Sequence, residues 1–265
     1  MTEEAGRSLW GSLVALGDSF TEGLDDLRPD GSYRGWADRL AEHLAESRPD
    51  LRYANLAIRG KLLGEIISEQ LPKVKELRPD LVTFCAGGND ILRPGSDPDA
   101  LAVEFEEAVV ELRALGADVV ICTGFDTKDV LIMRRVRGKV ATYNAHLRAI
   151  ADRHGCHVVD LWSMTVLQDP RAWGEDRLHL SPEGHERVAL RACAELGIPV
   201  AADWAEPWPA AEPADWVTLR RADWHWTTHH FMPWLGRKLT GRSSSEGVLP
   251  KRPELEQLCS AADRG

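Results

Sequence analysis

Four separated places in the chain carry the groups that an activated serine needs. Ser19 closes an apolar run, Ser12-Leu13-Val14-Ala15-Leu16, inside the stretch Leu16-Gly17-Asp18-Ser19-Phe20-Thr21-Glu22-Gly23. A β-type run that breaks at a glycine and delivers a serine reads as a strand end feeding a tight turn, which in an open α/β sheet is where ligands sit. A serine hydroxyl is a poor nucleophile at neutral pH, so it requires a base within hydrogen-bond reach and a group to orient that base. Asp176-Arg177-Leu178-His179 offers both in one polar loop. In non-helical backbone the carboxylate of Asp176 can accept from one ring nitrogen of His179 and leave the other facing Ser19. An oxyanion also needs donors, and Gly60 and Asn89 stand after two further apolar runs, the first with an unobstructed backbone N–H and the second with a side-chain amide. The backbone N–H of Ser19 is the third candidate. Alone, each piece is also an ordinary turn residue, a helix cap or a solvated loop pair.

The elements that must position these residues alternate along the chain. The first strand spans Ser12 to Leu16. A polar loop with Pro29-Asp30-Gly31-Ser32 precedes a helix over Gly35 to Ser47, in which Trp36, Leu40 and Leu44 recur at helical spacing. Leu51 to Ile58 reads as a second strand, broken at Arg59-Gly60. Leu62 to Leu77 reads as one helix with a possible kink at Pro72. Asp80 to Ala86 is a near-continuous apolar run, as in a strand buried on both faces. Asp99 to Leu115 is a third helix, Asp118 to Thr123 a fourth strand, Arg135 to His154 a fourth helix and His157 to Leu161 a fifth strand. The last helix, Pro182 to Leu196, has Ser181 as its cap and proline at its first position. This alternation predicts an α/β fold, a flavodoxin-like three-layer α/β/α arrangement around a five-stranded, mostly parallel sheet.

Gly17-Asp18-Ser19-Phe20, Gly60, Gly87-Gly88-Asn89-Asp90 and Asp176-Arg177-Leu178-His179 stand in the order and approximate separation of the four sequence blocks of the SGNH hydrolases, the GDSL esterases and lipases. The resemblance covers roughly Leu13 to Leu196. The family has leucine where this chain has Phe20, and Gly64 is the alternative to Gly60 for the second block. What the resemblance implies is a serine esterase in which Ser19 is the nucleophile, His179 the general base and acid, and Asp176 the residue that orients His179. It also implies an oxyanion hole of Ser19 N–H, Gly60 N–H and the Asn89 amide, with no metal or organic cofactor required. The expected substrate is a small or medium acyl ester, with acetyl esters of sugars or metabolites the leading natural targets. A non-catalytic binding module on the same fold, and a flavin-binding flavodoxin-like protein, are the competing readings.

Composition narrows the classes further. The chain of 265 residues is 43% hydrophobic and 28% charged, enough for a proper core. A formal net charge of -10 argues against nucleic acid as a partner. The acidic N-terminus has no basic region and long apolar run of a signal peptide, no stretch reaches the length of a membrane span, and five scattered cysteines form no disulfide or zinc pattern. A cytoplasmic protein of undetermined oligomeric state is therefore expected. Asp18 and Asp90 are expected to tie down their turns, and His185 to be structural. His225, His229 and His230 have no ligand spacing and stay unassigned. The hydrolase domain is expected over residues 8–198. Residues 199–265 form an appendage in which six of the ten tryptophans lie between Ala201 and Leu235, interleaved with prolines, and a loose tail is expected from about residue 241. The appendage either packs on the main domain or covers the active-site mouth, a partner or a lipid surface.

Overall fold

Strand β1 (Ser12–Gly17) is buried along its whole length, and its side chains alternate between two cores. Leu13 and Ala15 point to one, Val14 and Leu16 to the other. A strand with apolar side chains on both faces has helices on both faces, and this arrangement is repeated across the sheet. The computed structural model describes residues 10–128, 133–210 and 247–258.

Strands β2 (Arg52–Asn55), β3 (Leu81–Cys85), β4 (Asp118–Cys122) and β5 (His157–Val159) join β1 in the order β5-β4-β3-β1-β2, every neighbouring pair parallel. This is the flavodoxin-like order, with the switch point between β1 and β3. One face is covered by α2 (Gly35–Ser47) and α8 (Pro182–Glu195), through Trp36, Leu40, Leu44, Val188 and Ala192. The other is covered by α3 (Leu63–Glu69), α4 (Leu71–Leu77), α6 (Pro98–Ala114) and α7 (Arg137–His154), where Phe84 of β3 stacks on Phe105 of α6 at 4.3 Å. Two four-residue helices at strand ends, α1 (Ser19–Glu22) and α5 (Gly88–Ile91), carry candidate site residues.

The expected helix over Leu62 to Leu77 is two helices, because Gln70 ends α3 and Pro72 lies in the first turn of α4, where its missing N–H costs nothing. The sheet has six strands where five were expected. The sixth, β6 (Arg252–Gln257), pairs antiparallel with β2 and comes from the stretch expected to be loose tail. Its sequence, Arg-Pro-Glu-Leu-Glu-Gln, lacks an apolar face because it lies on the sheet edge with its side chains largely in solvent. A proline is tolerated in such an edge strand. Lys251, just before β6, is partly buried, and its ammonium donates to Tyr33 O, Arg34 O and the Asp38 carboxylate.

Of the appendage tryptophans, Trp204 and Trp208 pack against the core on the α8 side. Trp208 also donates from its indole to Val166 O and lies under the guanidiniums of Arg187 and Arg171. Trp216, Trp224, Trp226, Trp234 and the three histidines near them lie outside the described residues. Cys85, Cys122, Cys156 and Cys193 are free thiols, two of them fully buried. No helix among the described residues is long and apolar enough to cross a membrane.

Candidate active site

Ser19 is placed by a strand end that accepts only glycine. A Cβ on Gly17 would stand 2.5 Å from Thr21 Oγ1 and 2.7 Å from Cys85 O, so the chain turns there against the neighbouring strand. The amide of Gln70 pins the peptide groups on both sides of Gly17, accepting from Gly17 N at 3.0 Å and donating to Gly17 O at 2.9 Å. Asp18 caps α1, its Oδ1 accepting from Phe20 N at 3.1 Å. Ser19 is thereby held at the first position of a short helix, with its hydroxyl turned outward.

The loop after β5 delivers the partner groups. An antiparallel bridge between Trp173 and Leu180, and a bond from Gly174 N to His179 O at 2.9 Å, close it into a tight excursion. Inside it Asp176 Oδ1 accepts from Leu178 N at 2.8 Å and His179 N at 2.9 Å, which fixes the carboxylate. Its other oxygen, Oδ2, lies 2.6 Å from His179 Nδ1, and His179 Nε2 lies 3.0 Å from Ser19 Oγ. Residues 160 positions apart are thus linked in one line of hydrogen bonds. Burial alone would lower the His179 pKa, but the hydrogen bond and charge of Asp176, with Asp25 and Asp18 beyond, raise it above the ordinary imidazole value. Burial likewise opposes ionisation of Asp176, and its bond to His179, the imidazole charge and two backbone N–H groups hold its pKa below the usual value.

Gly60 and Asn89 arrive from the neighbouring strand ends. Gly60 is in the left-handed region at φ 77° and is held on both sides. On one side Arg59 donates from its backbone N–H to Glu22 of α1 at 2.7 Å, and its guanidinium pairs with the same carboxylate. On the other, Lys61 O accepts from Asn89 Nδ2 at 3.1 Å. The loop is tied to β1 by Ile58 N donating to Gly17 O at 3.2 Å. Asn89 Nδ2 also donates to Asp18 Oδ2 at 2.9 Å, and Asp90 Oδ2 accepts from Leu63 N at 3.0 Å. The two aspartates beside the candidate groups therefore lace the turns together. Gly64 sits inside the first turn of α3.

Several residues that shape the site were not singled out from sequence. Gln70 and Asn55 left a usable signal, each being polar at a position where the pattern calls for an apolar side chain. Gln70 continues the buried series Leu63, Ile66, Val74 of the split helix, and Asn55 ends β2 fully buried, donating to Thr21 O at 3.0 Å. Asp25 left none. It sits in the left-handed region at φ 69°. Among the described residues, Asp25, Asp176 and His179 are the one group of metal-ligand type, each offering a ligand atom within 4.8 Å of the others. Since Asp176 and His179 already bond each other, Asp25 adds a second carboxylate beside their pair. Phe20, where the family blocks carry leucine, packs its ring against Trp36 and His185 at 6.2 Å each.

A cavity of about 180 Å³ opens beside Ser19 and His179 and runs between the ends of β3 and β4 and helix α7. Its wall is mostly apolar, including Ala86, Ile91, Val140, Leu147 and Leu161.

The fold is shared with several solved structures. Acetylxylan esterase Axe2 from Geobacillus stearothermophilus aligns at TM-score 0.59 and 19% identity over 77% of this chain and 99% of its own. LAE5, an α/β hydrolase from the metagenome of Lake Arreo in Spain, aligns at TM-score 0.63 and 23% identity over 74% and 99%. TesA aligns at TM-score 0.59 and 24% identity over 70% and 97%. No curated protein matches the chain. The model of the GDSL-like lipase/acylhydrolase family matches residues 15–187, which contain Ser19, Gly60, Asn89, Asp176 and His179. The chain belongs to the GDSL-like lipase/acylhydrolase family.

Proposed function

We propose that the protein is a serine esterase that cleaves carboxylic esters through an acyl-enzyme. The observation that carries this reading is the line Ser19 Oγ, His179 Nε2, His179 Nδ1, Asp176 Oδ2, at 3.0 and 2.6 Å. Ser19 Oγ attacks the ester carbonyl as His179 Nε2 takes its proton. The negative charge that develops on the carbonyl oxygen is met by Ser19 N–H, Gly60 N–H and the Asn89 amide, which redirects an N–H from Asp18 toward it. His179 then gives the proton to the departing alkoxide, and the alcohol leaves. Water, deprotonated by the same imidazole, attacks the acyl-Ser19 ester and releases the acid. Asp176 holds the ring in the tautomer this sequence needs and stabilises the imidazolium. Its raised basicity makes His179 a stronger acceptor for the serine proton.

The test uses wild type and Ser19→Ala on p-nitrophenyl esters, with an alkyl fluorophosphonate as an active-site probe. Wild type hydrolyses the esters and gains the probe's mass on the peptide containing Ser19, and the variant does neither. Equal hydrolysis by the two proteins overturns the assignment.

A further inference from the structure

The wall of the cavity beside Ser19 and His179 has a defined chemistry. Among the described residues, the polar side chains on the wall away from Ser19 and His179 are already bonded to the protein. The Asn144 amide accepts from Gly124 N at 2.7 Å and donates to Gly124 O at 2.8 Å. Thr123 Oγ1 donates to Asp160 at 2.9 Å, Thr127 Oγ1 to Met133 O at 3.1 Å, and Tyr143 donates from its hydroxyl to Ala86 O. The thiol of Cys85 on the same wall stays protonated, its pKa pushed well above the usual value by the adjoining Cys122 thiol and by burial. A sugar placed here would leave its hydroxyls without partners, each costing about tenfold or more in affinity. A hydrocarbon chain asks for nothing that the wall lacks.

Size sets the length. An apolar cavity of about 150 Å³ takes the six carbons of a benzene ring, so one of about 180 Å³ holds about six or seven carbons beyond the reacting carbonyl. We infer that this cavity is the acyl site of the enzyme and that its substrates are esters of unbranched acyl chains of about six to eight carbons. This rests on the serine esterase reading above. The acetyl group of a sugar ester would fill only the mouth, so of the small and medium acyl esters expected from sequence the proposal takes the medium-chain ones.

The experiment is a chain-length profile of kcat/KM on p-nitrophenyl esters from acetate to dodecanoate, below their micellar concentrations, with Ser19→Ala alongside. Burial of each added methylene raises kcat/KM by about fourfold, so the profile climbs on the order of 100-fold from acetate to hexanoate. It peaks at hexanoate or octanoate and falls beyond. A maximum at acetate, with activity still lost in Ser19→Ala, overturns the acyl-site inference and leaves the serine esterase standing. Activity that persists in Ser19→Ala overturns both. Filling the cavity supplies the second test. Gly88 lines it, and a Cβ added there meets no heavy atom within 4 Å. Gly88→Leu, or Val136→Phe, which also lines the cavity, if the first fails to fold, lowers the octanoate-to-acetate ratio of kcat/KM at least tenfold. An unchanged ratio in a folded variant overturns the inference.

Discussion

Two imidazoles six residues apart, His179 in the loop after β5 and His185 in the first turns of α8, have opposite acid–base behaviour. Both are largely buried and both bridge distant elements. His179 faces a carboxylate on one nitrogen and a hydroxyl on the other. His185 accepts from Trp36 N at Nδ1, 3.2 Å away, and donates from Nε2 to Leu24 O at 3.0 Å. Main-chain partners of that kind fit one neutral tautomer and no other. Burial therefore dominates at His185 and lowers its pKa to about 4 despite Asp26 nearby, whereas at His179 Asp176 outweighs burial and the pKa rises. Burial alone does not decide which histidine titrates usefully. The partner does: a carboxylate stabilises the protonated ring, and a peptide N–H aimed at the ring forbids it.

Removing the partner is the sharpest way to break this contrast. Asp176→Asn keeps the shape of the loop but presents the ring with an amide, which favours the wrong tautomer. A loss in kcat of about 10⁴-fold is expected. The pH dependence gives its sign. His179 acts as a base only when neutral, so kcat/KM falls as pH drops through its pKa, and that acid limb lies above the ordinary imidazole value of about 6.5 in wild type. In Asp176→Asn the limb of the residual activity moves to lower pH. A loss below tenfold, or an unmoved limb, contradicts the role assigned to Asp176. Asn89→Ala comes next, with kcat lower by about 100- to 1000-fold and KM little changed, measured by steady-state kinetics on the same ester. A change confined to KM would place Asn89 in substrate binding instead.

The legibility of the sequence followed the same division. Ser19, Gly60, Asn89, Asp176 and His179 could be read because each stands at the end of a strong apolar strand or beside a capped helix, where spacing in the chain translates into position on the sheet edge. The parallel core was legible for the same reason, since strands such as Leu81 to Cys85 are apolar on both faces. What stayed hidden depends on contacts between distant segments that leave no local pattern. β6 is held by backbone bonds at an edge, so its side chains carry no periodicity. Asp25 reaches the His–Asp pair through a left-handed turn in a loop of mixed polarity, and the cavity wall is drawn from β3, β4, α1, α5, α7 and several loops at once.

His185 and Lys251 bear on the structural side of the comparison, because they hold opposite ends of the loop over residues 24–34, the one at Leu24 O and the other at Tyr33 O and Arg34 O. His185→Leu leaves Leu24 O and Trp36 N without their partner and lowers stability by about 2–4 kcal/mol, read from urea unfolding. The protein's stability from this group is complete above the unfolded pKa of about 6.5, and roughly 3 kcal/mol of it is lost as pH falls toward the folded value of about 4. The acid-side loss should therefore be shallower in His185→Leu than in wild type. An equal slope would mean that His185 is protonated in the folded protein and that the contrast with His179 is mistaken. Lys251→Met is expected to act more weakly, by about 1–3 kcal/mol, since Tyr53 and Arg28 still bond the Asp38 carboxylate that Lys251 faces. Lys251 lies outside residues 15–187 matched by the family. If its loss raises KM for esters while His185→Leu at equal stability does not, the C-terminal strand shapes the site through the residue 33–34 end of the loop. Equal kinetic effects would assign both residues to folding alone.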